Sequence, residues 1–290
     1  MLYRLTIMLL LTCFHQMHAV ILCQQPFQGL SVEFGLSVGG LNALTDLGGS
    51  KGPRRNFIND FDPGMMRFST AIHGVARYKE RLALRTSCSY GKVAASDLRI
   101  RRDAATGRSS RNLHFSSPVT ELQLLLEVSL FRSYWFTMDG INLNSFYLCV
   151  GAGYFHFDPR AKLDGRWVRL APLRLEGQGF DEYPDRQPYR RAIASVPAGL
   201  GFRRKYESGM SVGFEILNRW LFTDYLDDVS TTYIDPVLFN RYLPPEKAAL
   251  ATQLWYRGVL STGPVLNTPR GNSKKNDACF SMELKWSIPI

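Results

Sequence analysis

The sequence predicts an all-β chain, a transmembrane antiparallel β-barrel of eight strands, with ten strands as the alternative count. Three observations carry that prediction. Eight segments alternate apolar and polar residues, the connections between them alternate short and long, and an apolar leader precedes them all.

The leader comes first in the chain. Met1-Leu2-Tyr3-Arg4 is a basic start, and Leu5 to Phe14 is almost wholly apolar, as in a secretory signal. We assign residues 1–25 to the signal peptide, with cleavage after Ala19 or slightly later, before Gln24, and residues 26–290 to the barrel domain. The apolar run is shorter than the ~20 residues that a helix needs to cross a bilayer. Cys23 raises the alternative of a lipoprotein signal, but Leu22 before it is bulkier than such signals prefer. A hydrophobic content of 45% with 12% aromatics excludes a disordered protein.

The strand segments follow. Near 30–40, Val32, Phe34, Leu36 and Val38 alternate with Ser31, Glu33, Gly35 and Ser37. Near 65–78, Phe68, Thr70 and Ile72 oppose Arg67, Ser69, His73 and Arg77. Only Lys79-Glu80 separate this from the third segment, where Leu82, Leu84, Thr86, Cys88 and Tyr90 oppose Arg81, Arg85, Ser87 and Ser89, so the pair reads as a hairpin. The fourth, about 111–130, sets Leu122, Leu124, Leu126, Val128 and Leu130 against Glu121, Gln123 and Glu127. Glutamates in so apolar a run are costly in hydrocarbon and comfortable in a polar lumen. The fifth, sixth and seventh are about 144–157, 189–203 and 210–223. The eighth, 279–288, sets Phe280, Met282, Leu284, Trp286 and Ile288 against Ser281, Glu283, Lys285 and Ser287.

Segments two–three and six–seven have short links (Lys79-Glu80; Arg204 to Gly209), and four–five a moderate one from Phe131 to Leu143. The other connections are long, which places both termini and the short turns on the periplasmic side. The last long connection has room for an extra hairpin, with Leu254 to Leu260 as the candidate. A soluble β-sandwich is the competing architecture.

Charge and motifs narrow the function. The formal net charge is +10, and losing residues 1–25 removes only Arg4, leaving +9. For an exported chain this points to anionic outer-membrane lipids or an acidic protein rather than nucleic acid, with arginines at strand ends as the plain alternative. Cys88, Cys149 and Cys279 each sit in a predicted strand without CxxC spacing, so neither metal nor a disulfide framework is expected. Residues 35–39 match the hydrolase pattern G-x-S-x-G, but alternation runs straight through Ser37 instead of turning into a helix. Gly48-Gly49-Ser50-Lys51-Gly52 lacks phosphate-loop spacing. His73, His114 and His156 are not brought together by any local feature, so the chain is read as non-enzymatic and without cofactor. Asp224, Asp227 and Asp228 lie without EF-hand spacing, and their stretch reads as an ordered loop over the barrel mouth.

That stretch, Thr223-Asp224-Tyr225-Leu226-Asp227-Asp228-Val229-Ser230-Thr231-Thr232-Tyr233, also carries a resemblance. With Leu175-Glu176-Gly177-Gln178-Gly179, Arg111-Asn112-Leu113-His114-Phe115, Arg270-Gly271-Asn272 and Leu44-Thr45-Asp46-Leu47-Gly48-Gly49, it resembles the PorG-like outer-membrane barrel family of Bacteroidota. The matches run in order from about residue 30 to 288. The resemblance implies an outer-membrane component of the type IX secretion system that ties a periplasmic PorK/PorN-like ring to the membrane and supports gliding in some relatives. The chain departs from barrel-assembly signals in ending Pro289-Ile290, with Trp286 as its last aromatic.

Three sets of residues are thereby expected to matter. Glu33, Arg67, Arg85, Glu121, Glu127, Glu215, Arg219, Glu283 and Lys285 face a side-chain-filled lumen. Thr223, Asp224, Tyr225, Leu226, Asp227, Asp228, Ser230, Thr231, Thr232 and Tyr233 form the family-motif loop. Lys79, Glu80, Arg204 and Lys205, with the Phe131 to Asn142 connection, offer periplasmic contacts to a ring.

Overall fold

A computed structural model describes residues 29–48, 63–99, 111–137, 140–258 and 263–290. The leader, Cys23 and the Gly49–Gly52 stretch lie outside the described residues. Eight strands form the wall: β1 (Leu30–Leu44), β2 (Arg67–Tyr78), β3 (Leu82–Ser96), β4 (His114–Thr137), β5 (Gly140–Phe157), β8 (Ala192–Lys205), β9 (Ser211–Leu221) and β10 (Ala278–Pro289). Each pairs antiparallel with its neighbours, β3 joins β4, and β10 closes on β1.

The register fixes the dimensions. Paired residues followed around the wall run Leu30, Tyr78, Leu82, Val128, Leu148, Leu200, Ile216, Met282 and back to β1 at Gly40, ten residues beyond the start. A stagger of that size over eight strands tilts each strand by about 40° from the axis. The ten-residue offset then spans about 25 Å of height, the thickness of an outer-membrane apolar band. Tyr78, Phe131 and Phe146 ring the lower end of that span, and Phe68, Tyr90, Tyr154 and Trp220 ring the upper, all exposed. Between them Leu84, Leu122, Leu124, Leu126, Leu148 and Leu284 point outward and are about half exposed. Among the described residues no helix is long and apolar enough to cross a membrane; the wall is made of strands.

Two expectations need correction. The fourth segment does not stop at 130, and residues 131–143 are no loop. A bulge between Ser129 and Phe131 lets β4 continue to Thr137 and pair with β5 from Gly140 onward. Phe131, Tyr134, Trp135 and Phe136 favour the extended backbone, and the bulge absorbs the break in alternation at Leu130-Phe131. By the register, this ribbon reaches about 10 Å beyond the other short turns.

The second correction concerns the extra hairpin. Leu254 is not in a strand: α1 (Val237–Tyr242) and α2 (Pro245–Trp255) occupy that connection, and 259–262 lie outside the described residues. Ala248, Ala251 and Leu254, at three-residue spacing, bury one face of α2, and Pro245 suits its first turn. The expected count of eight staves holds, although the sheet contains ten strands. The others, β6 (Arg160–Leu163) and β7 (Arg166–Arg169), form a hairpin in the β5–β8 connection, where β6 pairs with β4 at Ser116. Asp164 and Gly165, both with positive φ, make its turn.

The main hydrophobic core lies above the barrel rather than inside it. Leu47, Phe115, Phe157, Leu175, Phe180, Leu226, Ile234, Phe239 and Trp255, drawn from the long connections and upper strand ends, pack into one cluster. The long loops thus form a lid with its own core.

Candidate functional site

Inward-facing positions follow from strand parity, and the charged ones meet in two tiers. In the lower tier Arg77 reaches Glu127 at 3.2 Å and Glu33 at 3.4 Å. Arg85 bridges Glu127 and Glu215, each at 2.7 Å. Lys285 and the Tyr147 hydroxyl also donate to Glu215, at 3.2 and 2.8 Å. In the upper tier Arg219 donates to Glu121 at 2.5 Å and lies 3.6 Å from Glu283. Ser195 and Gln123 complete Glu121, and Ser37 and Ser281 complete Glu283.

The end that carries the short turns is closed by the same chemistry. Lys205 and Arg203 donate to Glu80 at 2.6 and 2.7 Å. Lys79 and Glu80 both hold positive φ in the β2–β3 turn, a conformation L-residues seldom adopt, and these contacts anchor it. Six carboxylates (Glu33, Glu80, Glu121, Glu127, Glu215, Glu283) therefore face six cations (Arg77, Arg85, Arg203, Lys205, Arg219, Lys285). Two lumen cavities of about 20 and 10 Å³ have room for roughly one water each. Room for the larger side chains comes from inward glycine: a Cβ at Gly201 would run into the Tyr147 ring.

Eight of the nine lumen charges expected from sequence sit in this network. Arg67 does not. It lies near the mouth, where its guanidinium donates to the Gly64 and Met66 carbonyls at 3.3 and 3.0 Å. Arg77 and Arg203 join the network although sequence reasoning left them out of the set. Their parity was the available signal, since each falls on the polar face of its strand. Glu80 and Lys205, expected on the periplasmic surface, pair with one another, whereas Lys79 and Arg204 lie over the Tyr78 and Tyr206 rings at 5.2 and 5.7 Å.

Above the lumen, the loops are held by a second polar cluster. Glu176 accepts from the backbone of Ser230 and Thr231, both at 2.9 Å, from the Thr231 hydroxyl at 2.7 Å and from Arg270 at 2.9 Å. Arg270 also donates to the Asp228 carbonyl. Asp227 accepts from the backbone of Leu47 and Val229, each at 2.9 Å. Asp46 accepts from the Asn272 backbone at 2.5 Å. Arg111 binds Asp97 at 2.7 Å, the Asp46 carbonyl at 2.6 Å and the Arg270 carbonyl. Gly271 is required here because a Cβ would press on the Ser230 backbone. Tyr189 donates to Asp228 at 2.6 Å and stacks on Tyr225, ring centroids 4.6 Å apart.

Burial dominates the titration of the two aspartates. It pushes Asp227 up to about 7, with the Asp46 charge adding and hydrogen bonds from Leu47, Thr45 and Val229 opposing. Asp228 is likewise pushed by burial to about 7, against the pull of Arg270 and Tyr189. All five segments that carry the family resemblance meet in this cluster. Within the expected motif loop, Leu226, Asp227, Asp228 and Ser230 are buried in it, and Thr231 and Thr232 bond Glu176 and Arg186 at its edge. Tyr233 packs edge-on to Trp255, Asp277 accepts from Leu226, and Thr223 accepts from the Tyr225 backbone; Asp224 is buried beside them.

The histidines remain apart. His73 bonds Ser287 in the lumen at 3.0 Å, His114 accepts from the Lys162 backbone, and His156 is exposed on the outer wall. Ser37 donates to Glu283, not to a histidine. Cys88 is exposed on the outer wall, and Cys149 and Cys279 are buried and free.

No family model matches the sequence, and no curated protein matches it. Among solved structures, the N-terminal β-barrel domain of Pseudomonas aeruginosa OprF matches at 8% identity and TM-score 0.33, covering 90% of this chain and all of that one. Neisserial surface protein A matches at 9% and 0.36, over 91% and 100% of the two chains. Ail of Yersinia pestis, solved with the heparin analogue sucrose octasulfate, matches at 7% and 0.35, over 91% and 98%. The barrel is defined independently of these likenesses, by the closed register that returns to β1.

Proposed function

We propose that the chain is a non-enzymatic outer-membrane barrel that anchors a periplasmic assembly, as the outer-membrane component of a type IX secretion system. The observation that carries the anchoring reading is the filled lumen under a cored lid. Six ion-paired cations and six carboxylates occupy the space a solute would need. An apolar wall about 25 Å tall with aromatic girdles at both ends supports the membrane location. The secretion role rests on the family resemblance, and its residues are those that lock the loops together.

The periplasmic partner, a PorK/PorN-like ring, would meet the β4–β5 ribbon. Tyr134 and Trp135 are more than half exposed there, on the ribbon that extends beyond the other short turns. Lys79 and Arg204 flank that surface, whereas Glu80 and Lys205 serve the internal closure. The test is co-purification from native membranes. The ring components should come down with the wild-type chain and be lost when residues 131–142 are replaced by a two-residue turn. Unimpaired protein secretion in a deletion strain would argue against the role.

A further inference from the structure

The β6–β7 hairpin divides its residues by face. Ala161, Leu163 and Val168 pack on the lid core. Arg160 pairs with Ser116, whose neighbours Phe115 and Ser117 point inward, so Arg160 faces out. Its cross-strand partner Arg169 shares that face, as do Lys162 and its partner Trp167, which is 52% exposed. Asp158 lies beneath. It accepts from Arg160 at 2.9 Å, Arg169 at 3.0 Å and Arg191 at 2.8 Å, so one carboxylate stands against three guanidiniums. Burial works against ionisation of Asp158, but the three arginine hydrogen bonds hold its carboxyl below the usual range. The cluster thus keeps a net excess of two positive charges at neutral pH, and all three arginines stay more than a third exposed.

Its height matters as much as its charge. Along β4, Ser116 lies six residues beyond Leu122, the partner of the girdle residue Tyr154. At the barrel tilt this places the arginines roughly 15 Å above the apolar band, facing outward around the wall rather than over the mouth. Arginine stems can lean back toward the band, and a guanidinium fork matches phosphate geometry. Lys92 on β3, exposed and paired with Pro118, extends the basic face along the same wall.

We propose that the outward face of the β6–β7 hairpin binds the phosphorylated sugar headgroup of an outer-leaflet glycolipid, with Arg160, Arg169 and Arg191 on phosphate and Trp167 against a sugar ring. The site rests on the outer-membrane reading above and deepens it by naming the lipid chemistry that meets the wall. To test it, the folded full-length protein in detergent is titrated with a rough lipopolysaccharide carrying a phosphorylated core, and with the same lipid after chemical dephosphorylation. Binding should weaken tenfold or more on dephosphorylation. Arg160→Gln with Arg169→Gln should bind both lipids at the weaker level, and Arg160→Lys with Arg169→Lys should keep most of the preference. Millimolar sodium phosphate should not displace the lipid; displacement by it would assign a soluble-anion site and overturn the lipid one. Equal affinity for the two lipids, or an unchanged glutamine variant, would also overturn the proposal. Heat-modifiable electrophoretic mobility in vesicles separates the two failures. A chain that never inserts removes the membrane reading and the site with it, whereas an inserted barrel without phosphate preference removes the site alone.

Discussion

Glu215 accepts from Arg85, Lys285 and Tyr147 at once, deep in the wall's interior. Removing one side of such a buried pair strands the other charge. Glu215→Ala should therefore lower unfolding stability by about 3 kcal/mol, read by reversible urea unfolding in lipid vesicles. The double change Arg85→Met with Glu215→Leu should recover only part of that loss, because it removes both charges while filling the space but leaves Lys285 without its carboxylate. Gly201 sets a second residue-scale rule, since any Cβ there meets the Tyr147 ring. Gly201→Val should push Tyr147 off Glu215 and cost about 1–3 kcal/mol by overpacking, measured in the same unfolding assay. Arg67 shows the limit of parity. It sits on the inward-facing register of β2, yet at the strand's upper end local carbonyls satisfy it before the lumen can.

At the scale of elements, Glu176 is the knot of the lid, joining the β5–β8 connection to the motif loop and to Arg270. Glu176→Ala should leave the staves intact and expose residues 173–190 and 223–235 to proteolysis, with heat-modifiable mobility unchanged. The lid should also respond to pH. Asp227 and Asp228 are raised to about 7 from an ordinary value of 3.8, so the folded lid holds protons that the opened chain gives up. Between about pH 4 and 7 lid stability should then fall as pH rises, by about 1.4 kcal/mol per pH unit for each such proton, and level off above. Amide protection factors in 223–234, with the intrinsic pH dependence of exchange divided out, should be larger at pH 5 than at pH 8. Asp228→Asn, which keeps the Tyr189 contact without ionising, should flatten part of that dependence.

For the molecule as a whole, the decisive quantity is the balance inside the wall. Charges of both signs cancel along the axis, and the cavities between them admit about one water each. Planar bilayers with the purified protein should show no large steady conductance. A stable open channel in the wild type would contradict the anchoring role and favour transport. The outer wall carries the opposite requirement. A charge at Leu124 or Leu148, both outward at mid-height, should impair insertion by about 2–4 kcal/mol for lysine, read by folding yield into vesicles.

Alternation made most of the wall legible from the sequence. Leu122 to Leu130 against Glu121, Gln123 and Glu127 could satisfy hydrocarbon on one side only if the other side were polar and enclosed, because strand side chains alternate strictly. Short and long connections ordered the staves for the same local reason. The motif loop, too, announced order through its aspartates and threonines, which bond backbone within a few residues. Other features needed the third dimension. Which glutamate meets which arginine depends on the ten-residue stagger that brings β3, β4 and β9 to one level, and no strand carries that number by itself. The bulge at Ser129 turned a presumed loop into a protruding ribbon, and apolar residues of the last connection became helix because the lid core offered them a face to bury. Sequence fixes the period of each strand locally. The closure of the wall and the burial above it are sums over distant segments, so only the assembled structure decides them.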